Sequence, residues 1–211
     1  MGVVSGRPLG FLLTTLGDLQ GLELFGLYGL ERSAASGTSG RRKRVVNEAA
    51  LAWQGAIGAA AAAAEREAPQ GVEVERKGLS FTLHFRQHPE LAAWAFKWAD
   101  AVAADYGLAT QPGRLSVELL PPVAVDKGTV VDDLSRSLSA LCYIGDDRGD
   151  LPAFAALGRQ RAAGKVTVAV GVAGAEQPSE LPQVVDFLVD GPVGVVALLE
   201  GLAGGLRSGS H

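Results

Sequence analysis

The feature that most constrains this chain is a series of short apolar runs with almost no polar interruption, separated by helical-looking stretches. Leu141-Cys142-Tyr143-Ile144, residues 166–172 and residues 184–189 are such runs. A strand that is apolar on both sides has no face to give to water, so it belongs in a parallel sheet covered on both faces by helices. Helices are expected over 127–138, 151–160 and the final segment. The front of the chain repeats the pattern with an apolar stub at 1–4 and an amphipathic stretch over 9–19, where Pro8 suits a helical first turn. A second strand-like run follows over 22–28. The alternation predicts an α/β architecture.

The middle differs. Residues 33–40 are small, polar and Gly/Ser-rich, followed by Arg41-Arg42-Lys43-Arg44 and an Ala-rich helix expected over about 45–67. A domain boundary is expected near residue 35. Val72-Glu73-Val74-Glu75 and residues 79–86 then alternate with period two, with Lys77-Gly78 turning between them. A helix over 89–106 and a strand over 114–120 complete a small α+β module that ends near residue 115, before Pro121-Pro122.

Composition excludes several classes. Of 211 residues, 47% are hydrophobic and 20% charged, and the formal net charge is −4. A chain of this length can bury a sizeable core, and its mildly acidic balance argues against a nucleic-acid partner. Cys142 is the sole cysteine, so neither an intrachain disulfide nor a cysteine-based zinc site can form. The start lacks the basic and apolar regions of a signal peptide, and no run is long and apolar enough to span a bilayer. A soluble, cytoplasmic protein with no membrane partner is expected; oligomeric state is not indicated. Arg41–Arg44 reads as a solvated linker rather than a nucleic-acid or membrane patch. Gly171-Val172-Ala173-Gly174 is too loose for a dinucleotide fingerprint, and no Walker-type loop occurs. Trp94, Phe96 and Trp98 read as core, and residues 207–211 as a flexible tail.

The most informative segment is Gly145-Asp146-Asp147-Arg148-Gly149-Asp150. It clusters three carboxylates where an apolar strand meets a helix, and open α/β sheets bind ligands at the carboxyl ends of their strands. Crowded like charges call for a cation, and Mg²⁺ takes one or two carboxylates, completing its shell with water and phosphate oxygens. In the alternative reading, Asp147 and Asp150 cap the next helix while Asp146 turns the chain. Asp126-Lys127-Gly128 opens the preceding helix. A lysine there is poorly placed for the helix dipole unless an anion is bound, or it is simply solvated. Ser5-Gly6-Arg7 repeats the strand–hydroxyl–glycine–helix logic, and Ser5 either caps the helix or hydrogen-bonds a phosphoryl oxygen. Together these point to magnesium-dependent phosphoryl transfer.

Nine short segments make the chain resemble a known family. They are Val3-Val4-Ser5-Gly6-Arg7-Pro8, Tyr28-Gly29-Leu30-Glu31, Val74-Glu75-Arg76-Lys77, His84-Phe85-Arg86, Pro112-Gly113-Arg114, Val117-Glu118, Asp126-Lys127-Gly128, the 145–150 hexad and Pro152-Ala153-Phe154. In this order they are similar to the trehalose-phosphatase branch of the haloacid dehalogenase superfamily. The resemblance implies a Rossmann-like parallel-sheet core over 1–34 and 116–211, with an inserted small α+β cap over 35–115. It implies that Ser5 and Lys127 hold the phosphoryl group. Asp146 and Asp147 would serve a Mg²⁺ ion with Asp150 in support, and Arg7, Glu75, Lys77, His84, Arg86 and Glu118 would bind a sugar phosphate. On the residues alone, the cap set reads instead as a solvated sheet face.

Two departures stand out. Many relatives carry Thr where Gly149 stands and Glu where Leu151 stands. The family's nucleophilic Asp-x-Asp-Gly occurs nowhere in these 211 residues; Asp190-Gly191 has its nearest aspartate, Asp186, four residues back rather than two. The expected activity is Mg²⁺-dependent hydrolysis of trehalose 6-phosphate, in a form that lacks the first core strand and is inactive as written. The alternatives are a non-catalytic sugar-phosphate-binding remnant and another sugar phosphatase of the superfamily.

Overall fold

A computed structural model describes residues 1–36, 41–174 and 177–208. The chain divides into two compact units, Met1–Val125 and Asp126–His211, so the break in its contacts falls at residue 125, next to the paired prolines.

The first unit holds two sheets. The first sheet runs β1-β2-β3-β4. Strands β1 (Gly2–Val4) and β2 (Glu23–Gly26) are parallel, with Val3 opposite Leu24, and helix α1 (Leu9–Leu16) crosses between them. Leu9 and Leu12 of that helix are buried together with Leu22 and Leu24, each contributing about 1.5–3 kcal/mol by its removal from water. Strands β3 (Glu31–Ser36) and β4 (Arg41–Val46) continue the sheet antiparallel.

This hairpin corrects the expected linker. Ser33, Arg42 and Arg44 are used as bonding partners rather than left to solvent. Ser33 Oγ accepts from Leu24 N at 3.1 Å. Arg42 donates to the carbonyls of Leu19 (2.6 Å) and Leu22 and to Ser33 Oγ, and Arg44 pairs with the buried Glu31. Two of the four residues in the basic run are therefore committed to closing this unit. Residues 37–40 of the expected linker lie outside the described residues. The single helix expected from residue 45 begins only after β4, as α2 (Glu48–Leu51), capped by Asn47, and then α3 (Gln54–Glu67).

The second sheet, ordered β5-β6-β8-β7, is antiparallel throughout. It comprises β5 (Glu73–Arg76), β6 (Phe81–His84), β7 (Ala109–Gly113) and β8 (Ser116–Leu120), with α4 (Ala92–Tyr106) between β6 and β7. Phe81, Leu83, Val117 and Leu119 point from one face into a core shared with the alanines of α3 and α4. Trp94, Phe96 and Trp98 pack partly buried against that core. Strand β7 was not expected; Pro112 lies within it, which an edge strand tolerates. A small cluster of Leu27, Leu30, Ala50 and Leu79, with Val46, Val123 and Val125, joins the segments that bear the two sheets.

The second unit is the expected parallel α/β element. It runs α5 (Lys127–Ser135), β9 (Ala140–Gly145), α6 (Leu151–Ala162), β10 (Val166–Ala173), α7 (Leu181–Val184), β11 (Phe187–Asp190) and α8 (Gly191–Ser208). Its sheet is ordered β11-β10-β9, with both pairs parallel. Arg207 and Ser208 of the expected tail belong to α8, and 209–211 lie outside the described residues. No helix among the described residues is long and apolar enough to cross a membrane.

Candidate functional site

The predicted site residues fall into two groups, one in each unit. In the first unit, register decides which side chains share a face. Glu75, Thr82, Glu118 and Gln111 stand opposite one another across the four strands, and the next such row is Glu73, His84, Ser116 and Gly113. Alternation therefore puts Glu75, His84 and Glu118 on the face away from the Phe81–Leu119 core. This face is not merely solvated. Glu118 is 5% exposed and is held by three donors: Ser80 Oγ at 2.6 Å, Lys77 Nζ at 3.2 Å and Tyr28 Oη at 3.1 Å. Lys77 also lies 4.0 Å from Glu75, so its ammonium bridges both carboxylates across Thr82.

Glu75 meets His84 Nε2 at 2.9 Å and the Arg7 guanidinium at 3.4 Å. Partial burial acts to raise the Glu75 carboxyl, but the bond to His84 and the charges of Lys77, His84 and Arg7 outweigh it and hold it below its ordinary value. Arg7, Glu73, Glu75, His84, Arg86 and Gln87 line a cleft of about 710 Å³. Arg86 makes no hydrogen bond or ion pair among the described residues, leaving its guanidinium available to a ligand.

Arg7 belongs to the Ser5 loop between β1 and α1. Ser5 does not cap α1. Its Oγ accepts from Arg7 N at 3.1 Å, while the first amide of the helix, Leu9 N, is taken by Glu31 Oε2 at 2.7 Å. The Ser5 O–H thus keeps its proton for another acceptor.

In the second unit, Asp126 caps α5 through a reciprocal bond pair with Thr129. Lys127 is buried, not solvated. Its ammonium lies 2.6 Å from Asp150 Oδ1 and 3.5 Å from Asp147 Oδ1. Asp150 is 3% exposed and fully satisfied: Oδ1 also accepts from Tyr143 Oη (2.6 Å), and Oδ2 accepts from the amides of Asp146 (2.9 Å) and Asp147 (3.1 Å). Burial acts to raise the Asp150 carboxyl, but Lys127, Tyr143 and the Asp147 amide outweigh it and hold it below the usual range. Burial and the neighbouring carboxylates raise Asp147 despite Lys127. Burial and the adjacent acids push the Tyr143 phenol far up, so it stays a donor.

Gly145 is required beneath this loop, because a Cβ there would stand 2.5 Å from Asp150 Cγ. Asp147 and Asp150 also cap each other across the short turn Arg148–Asp150, so the capping alternative describes their backbone role. Asp146 is the exposed carboxylate that none of these bonds uses.

Whether these residues fit Mg²⁺ follows from that inventory. Among the described residues no three metal-ligating side chains cluster, and Asp150 has no lone pair to spare. Asp146 and Asp147 supply the one or two carboxylates that Mg²⁺ ordinarily takes from a protein, so the donor set fits the ion.

A family model described as trehalose-phosphatase matches residues 1–182. The chain belongs to the trehalose-phosphatase family. An uncharacterized glycosyl hydrolase of Mycobacterium tuberculosis is 30% identical over 171 residues, which cover 74% of this chain but only 12% of that protein. The crystal structure of a trehalose-6-phosphate phosphatase related protein superposes with a TM-score of 0.77 at 17% identity, covering 98% of this chain and 82% of the other. The C-terminal domain of a C. albicans trehalose-6-phosphate phosphatase gives 0.72 at 23% identity, covering 96% and 78%. A haloacid dehalogenase-like hydrolase from Bacteroides thetaiotaomicron also superposes, with a TM-score of 0.61 at 11% identity, covering 95% of this chain and 85% of the other, so the α/β fold is of haloacid dehalogenase type.

The sequence did not reveal Tyr28 as a partner of Glu118, Ser80 beside it, or Glu31, at the start of β3, as the acceptor for the first amide of α1. Tyr28 and Glu31 lie in a quoted motif without an assigned role. For Ser80, the period-two pattern alone offered a signal.

Proposed function

We propose that this trehalose-phosphatase relative provides the phosphoryl-holding, metal-holding and sugar-reading groups of a Mg²⁺-dependent phosphatase acting on trehalose 6-phosphate, a small-molecule substrate, in the cytoplasm. The observation that carries this reading is the charged sheet face, where two carboxylates, Lys77 and His84 are fixed by one another rather than dispersed in solvent. Such charge-assisted partners suit a polyol, whose hydroxyls both donate and accept.

In this reading Glu75, Lys77, His84, Arg86 and Glu118 orient the sugar, and Arg7 stands between the sugar face and the Ser5 loop. Ser5 donates its hydroxyl proton to a phosphoryl oxygen. Lys127 contributes positive charge to the phosphoryl group, its position fixed by Asp150. Asp146 and Asp147 would hold Mg²⁺, which when bound neutralises charge on the phosphoryl oxygens. Asp150 orients the loop bearing them by accepting both of their amides.

No residue of these 211 supplies the family's Asp-x-Asp-Gly nucleophile. We therefore propose that this stretch alone binds substrate without turnover, which also favours a sugar-phosphate-binding role as the second reading. The test compares the 211-residue chain with a form carrying an Asp-x-Asp-Gly strand ahead of Ser5, measuring phosphate release from a panel of sugar phosphates with and without Mg²⁺. Turnover is expected only in the extended form, with trehalose 6-phosphate preferred, and Asp146→Asn should abolish its Mg²⁺-dependent turnover. Equal turnover by the short chain would overturn the division of labour, and indifference to the sugar would overturn the substrate assignment.

A further inference from the structure

We propose that Tyr28 is a positioning residue that couples the phosphoryl loop to the sugar-reading carboxylate, so that recognition of the two ends of a sugar phosphate is linked through one side chain. The proposal rests on the assignment of Ser5 and Glu118 made above.

Three contacts of Tyr28 carry it. The backbone N–H donates to Ser5 O at 2.9 Å. The ring closes over Gly6 so tightly that a Cβ at that glycine would stand 2.7 Å from the phenol carbon and oxygen. The hydroxyl donates to Glu118 Oε2 at 3.1 Å across 90 residues of sequence. The backbone is bent to achieve this. Leu27 and Tyr28 both have positive φ, +49° and +60°, a region that side-chain-bearing residues seldom enter and that persists where surrounding structure enforces it. Leu27 is buried and its N–H donates to Arg7 O at 3.0 Å, so the turn is tied to the same loop.

Glu118 has room for about four hydrogen bonds on its two oxygens. Ser80 takes one on Oε1, and Lys77 and Tyr28 take two on Oε2. The remaining position on Oε1 is the one left to a ligand hydroxyl. Tyr28 and Lys77 between them determine how the carboxylate is turned, and hence where that position points. Of the two, only Tyr28 is also bonded to the Ser5 loop among the described residues.

The test is calorimetric titration of the 211-residue chain with trehalose 6-phosphate and, separately, with inorganic phosphate, for wild type, Tyr28→Phe, Glu118→Gln and the double variant. Tyr28→Phe keeps the ring over Gly6 and removes only the hydroxyl. It is expected to weaken trehalose 6-phosphate binding about tenfold, in line with loss of a bond to a charged group, while leaving inorganic phosphate binding unchanged. The double variant should bind no more weakly than Glu118→Gln, because the two groups act as one. Wild-type affinity in Tyr28→Phe would overturn the coupling while leaving the assigned function intact. So would equal weakening toward both ligands, additive losses, or a Tyr28→Phe chain that fails to fold, which would make the hydroxyl a structural prop. If the wild-type chain binds neither ligand, the assigned function fails and the coupling fails with it.

Discussion

Two buried carboxylates, Glu118 in the first unit and Asp150 in the second, solve the same problem by opposite routes. A carboxylate removed from water must be given donors or it neutralises. Asp150 finds two of its four donors in amides three and four residues back, and the others on the neighbouring strand and helix, Tyr143 and Lys127. Among the described residues Glu118 has no local donor; its three come from Tyr28, Lys77 and Ser80, between 38 and 90 residues away. The first is a local motif that a short peptide sequence nearly specifies. The second exists only once an entire sheet and a distant turn have assembled.

The largest expected effect tests the local site. Asp150→Ala leaves the Lys127 ammonium buried without its main partner and should destabilise the second unit by about 3–5 kcal/mol, read as a shift in the urea unfolding midpoint. Glu118→Gln keeps shape and some hydrogen bonding but loses the charge facing Lys77. A cost of about 1.5–3 kcal/mol is expected, with the first unit affected and the near-ultraviolet signal of the second unit's tyrosine, Tyr143, retained. If Glu118→Gln proved costlier than Asp150→Ala, the distant donors would have to be the stronger set.

A smaller effect concerns acid. The Arg161 guanidinium and the Ala169 amide hold Asp186 below its ordinary value, so the folded state binds its proton less readily than the unfolded chain. That stabilisation is present above the unfolded value of about 4 and fades as pH falls through the lower folded value. Asp186→Asn should therefore flatten the loss of stability below about pH 4 while changing little at pH 7 beyond the lost charge pair, as acid titration of the thermal midpoint would show. The smallest effect lies between Glu75 and Glu118. Thr82 Oγ1 is buried without a partner among the described residues, so Thr82→Val should be neutral or stabilising by about 1 kcal/mol. A clear destabilisation would mean that the hydroxyl has a partner in solution.

The same contrast explains what could be read from sequence. The hexad at 145–150 and the parallel strands follow from spacing within a segment, whereas the shared face of Glu75, His84 and Glu118 also needs the register between strands. The hairpin of β3 and β4 did not, because Ser33, Arg42 and Arg44 look like a polar linker until Leu22, Leu24 and Glu31 are beside them. Strand β7 was hidden by Pro112 and by its weak alternation at the sheet edge. Tyr28 could be quoted as part of a motif but not given a partner, since nothing near it in sequence resembles Glu118.

The glycine beneath the Asp150 loop has a consequence for how this chain can change. Asp150 is pinned by four donors and cannot swing aside, and its carboxyl carbon occupies the space that any side chain at 145 would need. Positions 145 and 150 are therefore not free to vary one at a time. Gly145→Ala is deleterious while Asp150 remains, and truncating residue 150 to alanine strands Lys127 yet still leaves a Cβ only 2.7 Å from the one added at 145. Every single-step route out of this pair passes through a damaged intermediate, so the two codons should be inherited as a unit, with strong epistasis in any pairwise mutational scan of the loop.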